Sequence, residues 1–562
     1  MPYYDLGTHS FAIMTASPAA QKWFDHGLNW TYGFNHHEAV SCFKKALEAD
    51  PGCAMAHWGI AYASGPNYNM PWKLFDKAGR KAALEAAYDA TQKALGLCDC
   101  VTPLEAALIT ALKARYPQRG IIDDMQPWDD RFAAEMRGVF QAFPDQLEAR
   151  CIFVEAMLNR TPWKMWDLPS GLPADGADTV ECQQVLEAAF AEMPAAMQHP
   201  GLLHLYVHLM EMSPFPERAL KAGDALRALV PDAGHLVHMP THIDVLCGNY
   251  SDVVRWNQKA IEADLKYYER EGAFNIYTGY RQHNYHFVIY GAMFLGQFEP
   301  ALAALRGMAE TTPEDMLRMP SPPMADYFES YLSMEPHLLV RFGKWEEAIA
   351  LPLPDDQELF CTLTATTHYA RGVAHAALGH VADAEAEEKL FLAAKARVPD
   401  SRVLHNNKVI HLMEIATHML RGEIAYRQGH FDQAFAQLRQ ANSIEDNLPY
   451  DEPWGWMQPT RHALGALLFE QGHIAEAEAA RVEGDEGRRQ VVLGRAHARQ
   501  LHGRAVVEVV DAVLDGPPLG LEARRVLLDL RSAWVVRDDA VHVPGVSRPS
   551  SGSGDLRDSV HM

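Results

Sequence analysis

Histidine supplies most of the chemistry this sequence could perform. There are 27 in 562 residues, and they cluster. Around 199–242 the chain reads HPGLLHLYVHLMEMSPFPERALKAGDALRALVPDAGHLVHMPTHID, which contains His199, His204, His208, His235, His238 and His242. A second run, YRQHNYHFVIYG, adds His283 and His286. Spacings of four (His204 with His208, His238 with His242) and three (His235 with His238, His283 with His286) put each pair on one helix face. Two imidazoles one turn apart can reach one ion, and neutral histidine binds divalent metals without adding charge. His204, His208, His235, His238, His242, His283 and His286 are therefore candidate ligands for zinc, copper or iron. Glu211 and Tyr290 lie in the same stretches, and Glu155 sits within the apolar run IFVEAMLNR; these three are the candidate catalytic groups. A surface position is the alternative for Glu155. The competing reading of the histidines is a polar network between helices that fixes their packing. For isolated His26, His57, His368, His375 and His411 an ordinary hydrogen-bonded role is the default.

Which elements would aim these side chains is set by an internal repeat. In AQKWFDHGLNWTYGFNHHEAVSCFKKALEADP, Trp23, Gly27 and Trp30 precede Ala39, Phe43, Ala46 and Pro51. Residue sizes and spacing fit the 34-residue tetratricopeptide pattern: small residues where two antiparallel helices cross, aromatics beside them, and a proline that stops the second helix. Taking the small residue of the second helix as position 20, further units fall at Ala219, Val253, Ala301, Ala348, Ala384, Ala434 and Ala477. Most follow a turn such as GNYSD, GQFEP, FGKWEE, LGHVAD, QGHFDQ or QGHIAE. Strand signals are nearly absent, so the sequence predicts an all-α, tetratricopeptide-like, right-handed α-solenoid of antiparallel helix pairs. In such a unit the first helix lines the concave surface through positions 2, 5, 9 and 12. Counting back from Ala219, His204, His208 and Glu211 fall at 5, 9 and 12; from Val253, His235, His238 and His242 fall at 2, 5 and 9; from Ala301, His283, His286 and Tyr290 do the same. Three consecutive units would aim seven histidines, a carboxylate and a phenol into one stretch of groove.

The domain reading is an N-terminal arm over 1–14, the solenoid over 15–480, and an atypical segment over 481–562 with 12 Arg and no Lys and a flexible end. A stretch at about 117–185, rich in Pro, Gly, Asp and Trp, predicts long ordered loops over the groove. There Trp163 and Trp166, and later Trp454 and Trp456, could wall an apolar pocket or cap a core. Fifty Lys and Arg against 73 Asp and Glu give a net charge of −23, which argues against nucleic acid as a partner. No apolar run is long enough for a membrane span, and no leader pattern opens the chain. With eight scattered cysteines, the expectation is a reducing cytosol. No nucleotide-binding, nucleophile-elbow, HExxH or EF-hand pattern stands in a supporting context.

The segments FDHGLNWTYGFNHHEAVSCFKKALEADPGCAMAHWGIAYASGPNYN, HPGLLHLYVHLMEMSPFPERA, AGHLVHMPTHIDVLCGNY, YRQHNYHFVIYGAMFLGQ and EPWGWMQPTRHALGALLFEQG resemble a broad family of bacterial and fungal tetratricopeptide-repeat domain proteins over about residues 15–480. The resemblance implies the solenoid fold and no defined reaction; fungal members suggest a place in secondary metabolism. Members usually end in further repeats with an HPNN-x-W-like segment, which nothing after residue 480 matches. An altered reading frame or a wrong gene model would produce that ending and a solenoid without its capping helices.

Two functional expectations follow. One is a groove that binds a transition metal and a small organic substrate, as a metal-dependent oxidoreductase or hydrolase that tailors a metabolite. The other is a non-catalytic scaffold that holds a peptide or partner protein along its concave face.

Overall fold

A computed structural model describes residues 3–480. The Arg-rich stretch after them, with its expected missing caps, lies outside the described residues. The described chain is an all-α, tetratricopeptide-like solenoid of helix hairpins with two small two-stranded hairpins. Its helices are α1 (Pro18–Tyr32), α2 (His36–Ala49), α3 (Ala54–Ser64), α4 (Lys77–Leu95), α5 (Pro103–Arg115), α6 (Gln126–Ala142), α7 (Leu147–Leu158), α8 (Thr179–Glu192), α9 (Pro200–Met210), α10 (Leu220–Leu226), α11 (Gly234–His238) and α12 (Pro240–Leu246). They continue with α13 (Tyr250–Glu271), α14 (Thr278–Phe294), α15 (Phe298–Glu310), α16 (Glu314–Leu317), α17 (Met324–Phe328), α18 (Met334–Arg341), α19 (Trp345–Ala350), α20 (Cys361–Ala377), α21 (Val381–Lys395), α22 (Val409–Arg427), α23 (Phe431–Asp446) and α24 (Thr460–Glu470).

The turn glycines close the hairpins as their spacing predicts. Gly248, Gly296, Gly343, Gly379, Gly429 and Gly472 all take left-handed φ between 62° and 80°. In each case the next N–H bonds back five residues, for example Gln297 N to Ala292 O at 2.8 Å and His430 N to Ala425 O at 2.9 Å. That is a Schellman cap, in which a side chain at the glycine position would be strained. The crossing points match too: a Cβ on Gly27 or Gly59 would lie 2.6 Å from the Phe43 ring, so the ring wedges between α1 and α3 only because both lack side chains.

The first hairpin breaks this rule. Phe34 stands where the others have glycine, with φ 55° and the same closing bond from Asn35 N to Trp30 O at 3.0 Å. An aromatic residue there costs about 1–2 kcal/mol.

The 117–185 stretch is not one long loop, contrary to its composition. It contains α6, α7 and the start of α8, joined by the connections 116–125, 143–146 and 159–178. Trp128, Phe132, Met136 and Val139 form a buried stripe on α6, and every residue of α7 after Leu147 is buried. Apolar periodicity outweighed the surrounding Pro and Gly. The last of these connections carries the hairpin β1 (Trp166–Asp167) and β2 (Leu172–Pro173). The other hairpin, β3 (Val403–Leu404) with β4 (Asn407–Lys408), connects α21 to α22. No helix among the described residues is long and apolar enough to cross a membrane, and all eight cysteines are free thiols.

Candidate metal centre

Three first helices of successive hairpins supply the histidines: α9 carries His204 and His208, α11 and α12 carry His235, His238 and His242, and α14 carries His283. Pro240 interrupts the middle helix, yet His238 and His242 stay on one side. These six rings converge, and each is at most 7% exposed. Their nitrogens form two groups: one ring nitrogen from each of His204, His208 and His235 within 4.8 Å of one another, and likewise for His238, His242 and His283.

Hydrogen bonds on the far side of the rings fix which nitrogen faces inward. His204 Nδ1 lies 2.7 Å from the Tyr32 carbonyl, which can only accept, so Nδ1 carries the proton and Nε2 is a bare lone pair. Asn257 donates from Nδ2 to Thr241 Oγ1 (2.9 Å) and Val253 O (2.8 Å), leaving its Oδ1 to accept from His238 Nδ1 at 2.6 Å. Glu211 reaches His208 Nδ1 with one oxygen (3.0 Å) and His242 Nδ1 with the other (2.6 Å). Such outer carboxylate and carbonyl partners orient metal-binding imidazoles. On the inner side, His204 Nε2, His208 Nε2 and both nitrogens of His235 are buried without a partner. His238 Nε2 faces His242 Nε2 at 2.7 Å, and His283 Nε2 lies 3.4 Å from His242 Nε2. Nitrogens on a tetrahedral zinc at about 2.0–2.1 Å stand about 3.3 Å apart, close to the second distance.

Burial keeps the imidazoles neutral. It pushes His208 and His238 down to about 3 and His204, His235, His242 and His283 well below the ordinary value, with neighbouring imidazoles adding to the effect. Burial also raises Glu211 well above the usual carboxylate range, and Glu452, 3.3 Å from His242 Nδ1, rises for the same reason and through Glu211.

Of the other candidates, His286 turns away from the six. It meets Met457 Sδ at 2.8 Å and the Tyr331 ring, because residues three apart on α14 diverge by about a sixth of a turn and the Met457 loop fills the gap. Tyr290, two turns beyond His283, packs on Phe294. Glu155 is buried, not at the surface, but in a separate cluster: Tyr62 OH donates to it at 2.7 Å and Arg115 stacks on Tyr62. Trp163 lies edge-on to His405 at 5.6 Å, whereas Trp166 bonds Leu209 O and Trp456 packs on His337 and Tyr369 in a core.

Several residues at the centre carried no sequence signal. His405, in the two-residue turn of β3–β4, stacks on His283 at 5.2 Å and pairs with Asp451, which also accepts from Asn407 at 2.7 Å. Although burial opposes it, Asp451 raises His405 to about 9, so this ring is a cation beside neutral ones. Among the described residues the left-handed non-glycines are Phe34, Trp163 and His405; Phe34 and His405 touch the cluster, and Trp163 meets His405. Strain of about 1–3 kcal/mol per residue gathers where function needs it.

A neighbouring clasp steadies α9. His199 caps the helix by accepting Leu202 N–H at Nδ1 (3.2 Å), so its Nε2 donates to Glu148 (2.5 Å), which also takes Tyr32 OH (2.9 Å) and faces His9 of the N-terminal arm (3.1 Å). Burial would raise the Glu148 carboxyl, but His199 and His9 hold it well below the usual range. A depressed carboxylate gives stability that is present above the unfolded value of about 4.3 and lost as pH falls through the folded value. Thermal unfolding of Glu148→Gln is therefore expected to lie below the wild type at pH 7, with the gap narrowing below about pH 4.3. A gap constant down to pH 3 would contradict the ionised clasp.

Neither a protein-family model nor a curated protein matches this chain. Solved structures do. The Cut9–Hcn1 hetero-tetramer of the APC/C aligns at 12% identity over 86% of this chain and 76% of that chain, with a TM-score of 0.29. Yeast Tom70 aligns at 11% over 89% and 97%, with a TM-score of 0.27. The P58(IPK) TPR domain aligns at 12% over 81% and 99%, with a TM-score of 0.19. Likeness at these levels carries no statement about sites, ligands or partners.

Proposed function

We propose that this tetratricopeptide-like solenoid is a metalloprotein that holds a transition metal inside its coil on His204, His208, His235, His238, His242 and His283. The observation that carries the reading is the set of buried imidazole nitrogens aimed at shared points, those of His204, His208 and His235 without any partner. Each unsatisfied buried nitrogen costs about 1–3 kcal/mol, and an ion would satisfy several at once. Neutral imidazoles of this kind suit zinc, copper or iron. In the catalytic form of the proposal the ion supplies Lewis acidity or redox chemistry toward a small organic substrate. His405 and Trp163 would border the entry, since the His405 side chain is 24% exposed while the six histidines are not. A cytosolic setting remains part of the same proposal.

The test is metal loading of the purified chain. After chelator treatment, zinc, copper or iron is added and the protein is passed through gel filtration. Retained ion and a higher Tm are expected, because a ligand that binds only the native state stabilises it by about 2.7 kcal/mol at 100 times its Kd. His238→Ala/His242→Ala should lose much of the rise, and His286→Ala should keep it. No retained ion and no change in Tm for any metal would overturn the proposal.

The second reading is the scaffold that binds a peptide or partner protein. It is favoured by the regular hairpins α20–α21 and α22–α23, which belong to the solenoid but carry none of the six histidines. A chain that binds no metal and yet keeps its full stability would leave this reading standing.

A further inference from the structure

We propose that the cluster is a two-ion centre: one ion on His204, His208 and His235, a second on His238, His242 and His283, with Glu211 shared as their common outer partner. The inference rests on the metal reading above and adds the number and division of the sites.

The division follows from three independent features. First, the two trios share no residue, and each brings three ring nitrogens within 4.8 Å of one another. Three imidazoles leave an open position on a four-coordinate ion, the arrangement of reactive rather than closed metal sites. Second, each trio surrounds its own phenyl ring. Phe34 lies 4.6, 5.8 and 5.5 Å from His204, His208 and His235, and Phe287 lies 4.7, 5.1 and 5.0 Å from His238, His242 and His283. Phe34 holds that place in a strained left-handed conformation that every other Schellman turn described above gives to glycine. Third, the trios abut. Ring centres of His208 and His242 are 6.1 Å apart, those of His235 and His238 are 5.9 Å apart, and one Glu211 carboxyl spans His208 and His242. A polar network that only tied helices together would pair its inner nitrogens. Here His204, His208 and His235 point theirs at nothing, while in the second trio His238 Nε2 and His242 Nε2 meet at 2.7 Å, a pairing that an ion would have to replace.

Ions with open positions would polarise an oxygen donor such as hydroxide or a substrate carboxylate or phenolate. The ligand class is thus a small oxygen-donor anion.

Ion stoichiometry decides the matter. The wild-type chain is loaded separately with Zn2+ and Cu2+, freed of excess by gel filtration, and its metal and protein contents are measured. Two ions per chain are expected, with one retained by His204→Ala/His208→Ala and one by His238→Ala/His242→Ala. One ion in the wild type would overturn the two-ion centre while leaving the metal reading intact, and none would end both. If either double variant does not fold, the wild-type count still decides, and His235→Gln and His283→Gln serve as milder variants, each expected to weaken one of two ions. Two fully retained ions in every variant would overturn the residue assignment.

Discussion

Glu211→Gln is expected to weaken metal binding about 10–100-fold, the usual effect of losing an outer carboxylate partner. Burial favours the protonated acid in the metal-free protein, and a bound ion would draw Glu211 into its carboxylate form, whose two oxygens accept from His208 Nδ1 (3.0 Å) and His242 Nδ1 (2.6 Å). Both rings then carry their proton on Nδ1 and present a bare Nε2 to the interior. Glutamine keeps the shape but offers one acceptor and one donor. Whichever ring meets its amide nitrogen must move its proton to Nε2, the atom the ion needs, or leave a buried contact repulsive. Only one ring can keep its inward lone pair without cost. Glu452, 3.3 Å from His242 Nδ1, offers a poorer substitute on that side. Competition with a chromogenic chelator at fixed pH measures the loss. Unchanged affinity in a folded variant would show that Glu211 does not set the tautomers.

Gly234→Ala is expected to cost about 3 kcal/mol or more and to misplace His235 and His238 together. A Cβ at 234 would sit 1.9 Å from Asp264 Oδ1 and 2.8 Å from Ala260 O, the second being backbone of α13. Asp264 cannot simply swing aside, since it accepts Asn284 Nδ2 at 2.6 Å and Tyr277 OH at 3.2 Å inside the core. The short α11 must therefore lift away from α13. His235 is the next residue, and His238 follows one turn later against Asn257 of α13. The variant should show a lower Tm by thermal unfolding and weaker metal binding. A Tm within a degree of the wild type would contradict the close packing at this crossing.

The repeat was legible because six turns are written in glycine and the crossings in small residues, as Gly27, Gly59 and the six Schellman glycines show. Register then carried His204, His208, His235, His238, His242, His283 and Glu211 to one interior region, since helix periodicity fixes a face once the hairpin pairing is known. It failed for His286 and Tyr290. Counting positions places side chains on a broad face, and which of them reach a common point depends on the neighbouring loop, here Met457 against His286. Glu155 shares its helix with a fully buried surround, so its apolar neighbours indicated burial correctly but not the company it keeps with Tyr62 and Arg115. His405, Asp451 and Glu452 were illegible. They come from a β-turn and a loop far from the central histidines in sequence, and no periodicity relates such segments to a helix face. Phe34 left a trace that could have been used: YGFNHHEA shifts the glycine of the turn by one position, so an aromatic falls where the other turns have glycine.

X-ray absorption at the metal edge of the loaded full-length chain tests most directly whether imidazoles from three neighbouring hairpins meet around an ion. Expected is a first shell of about three nitrogens near 2.0 Å with the outer-shell scattering of rigid imidazole rings. A shell of oxygens without imidazole scattering, as surface carboxylates and water would give, would contradict it.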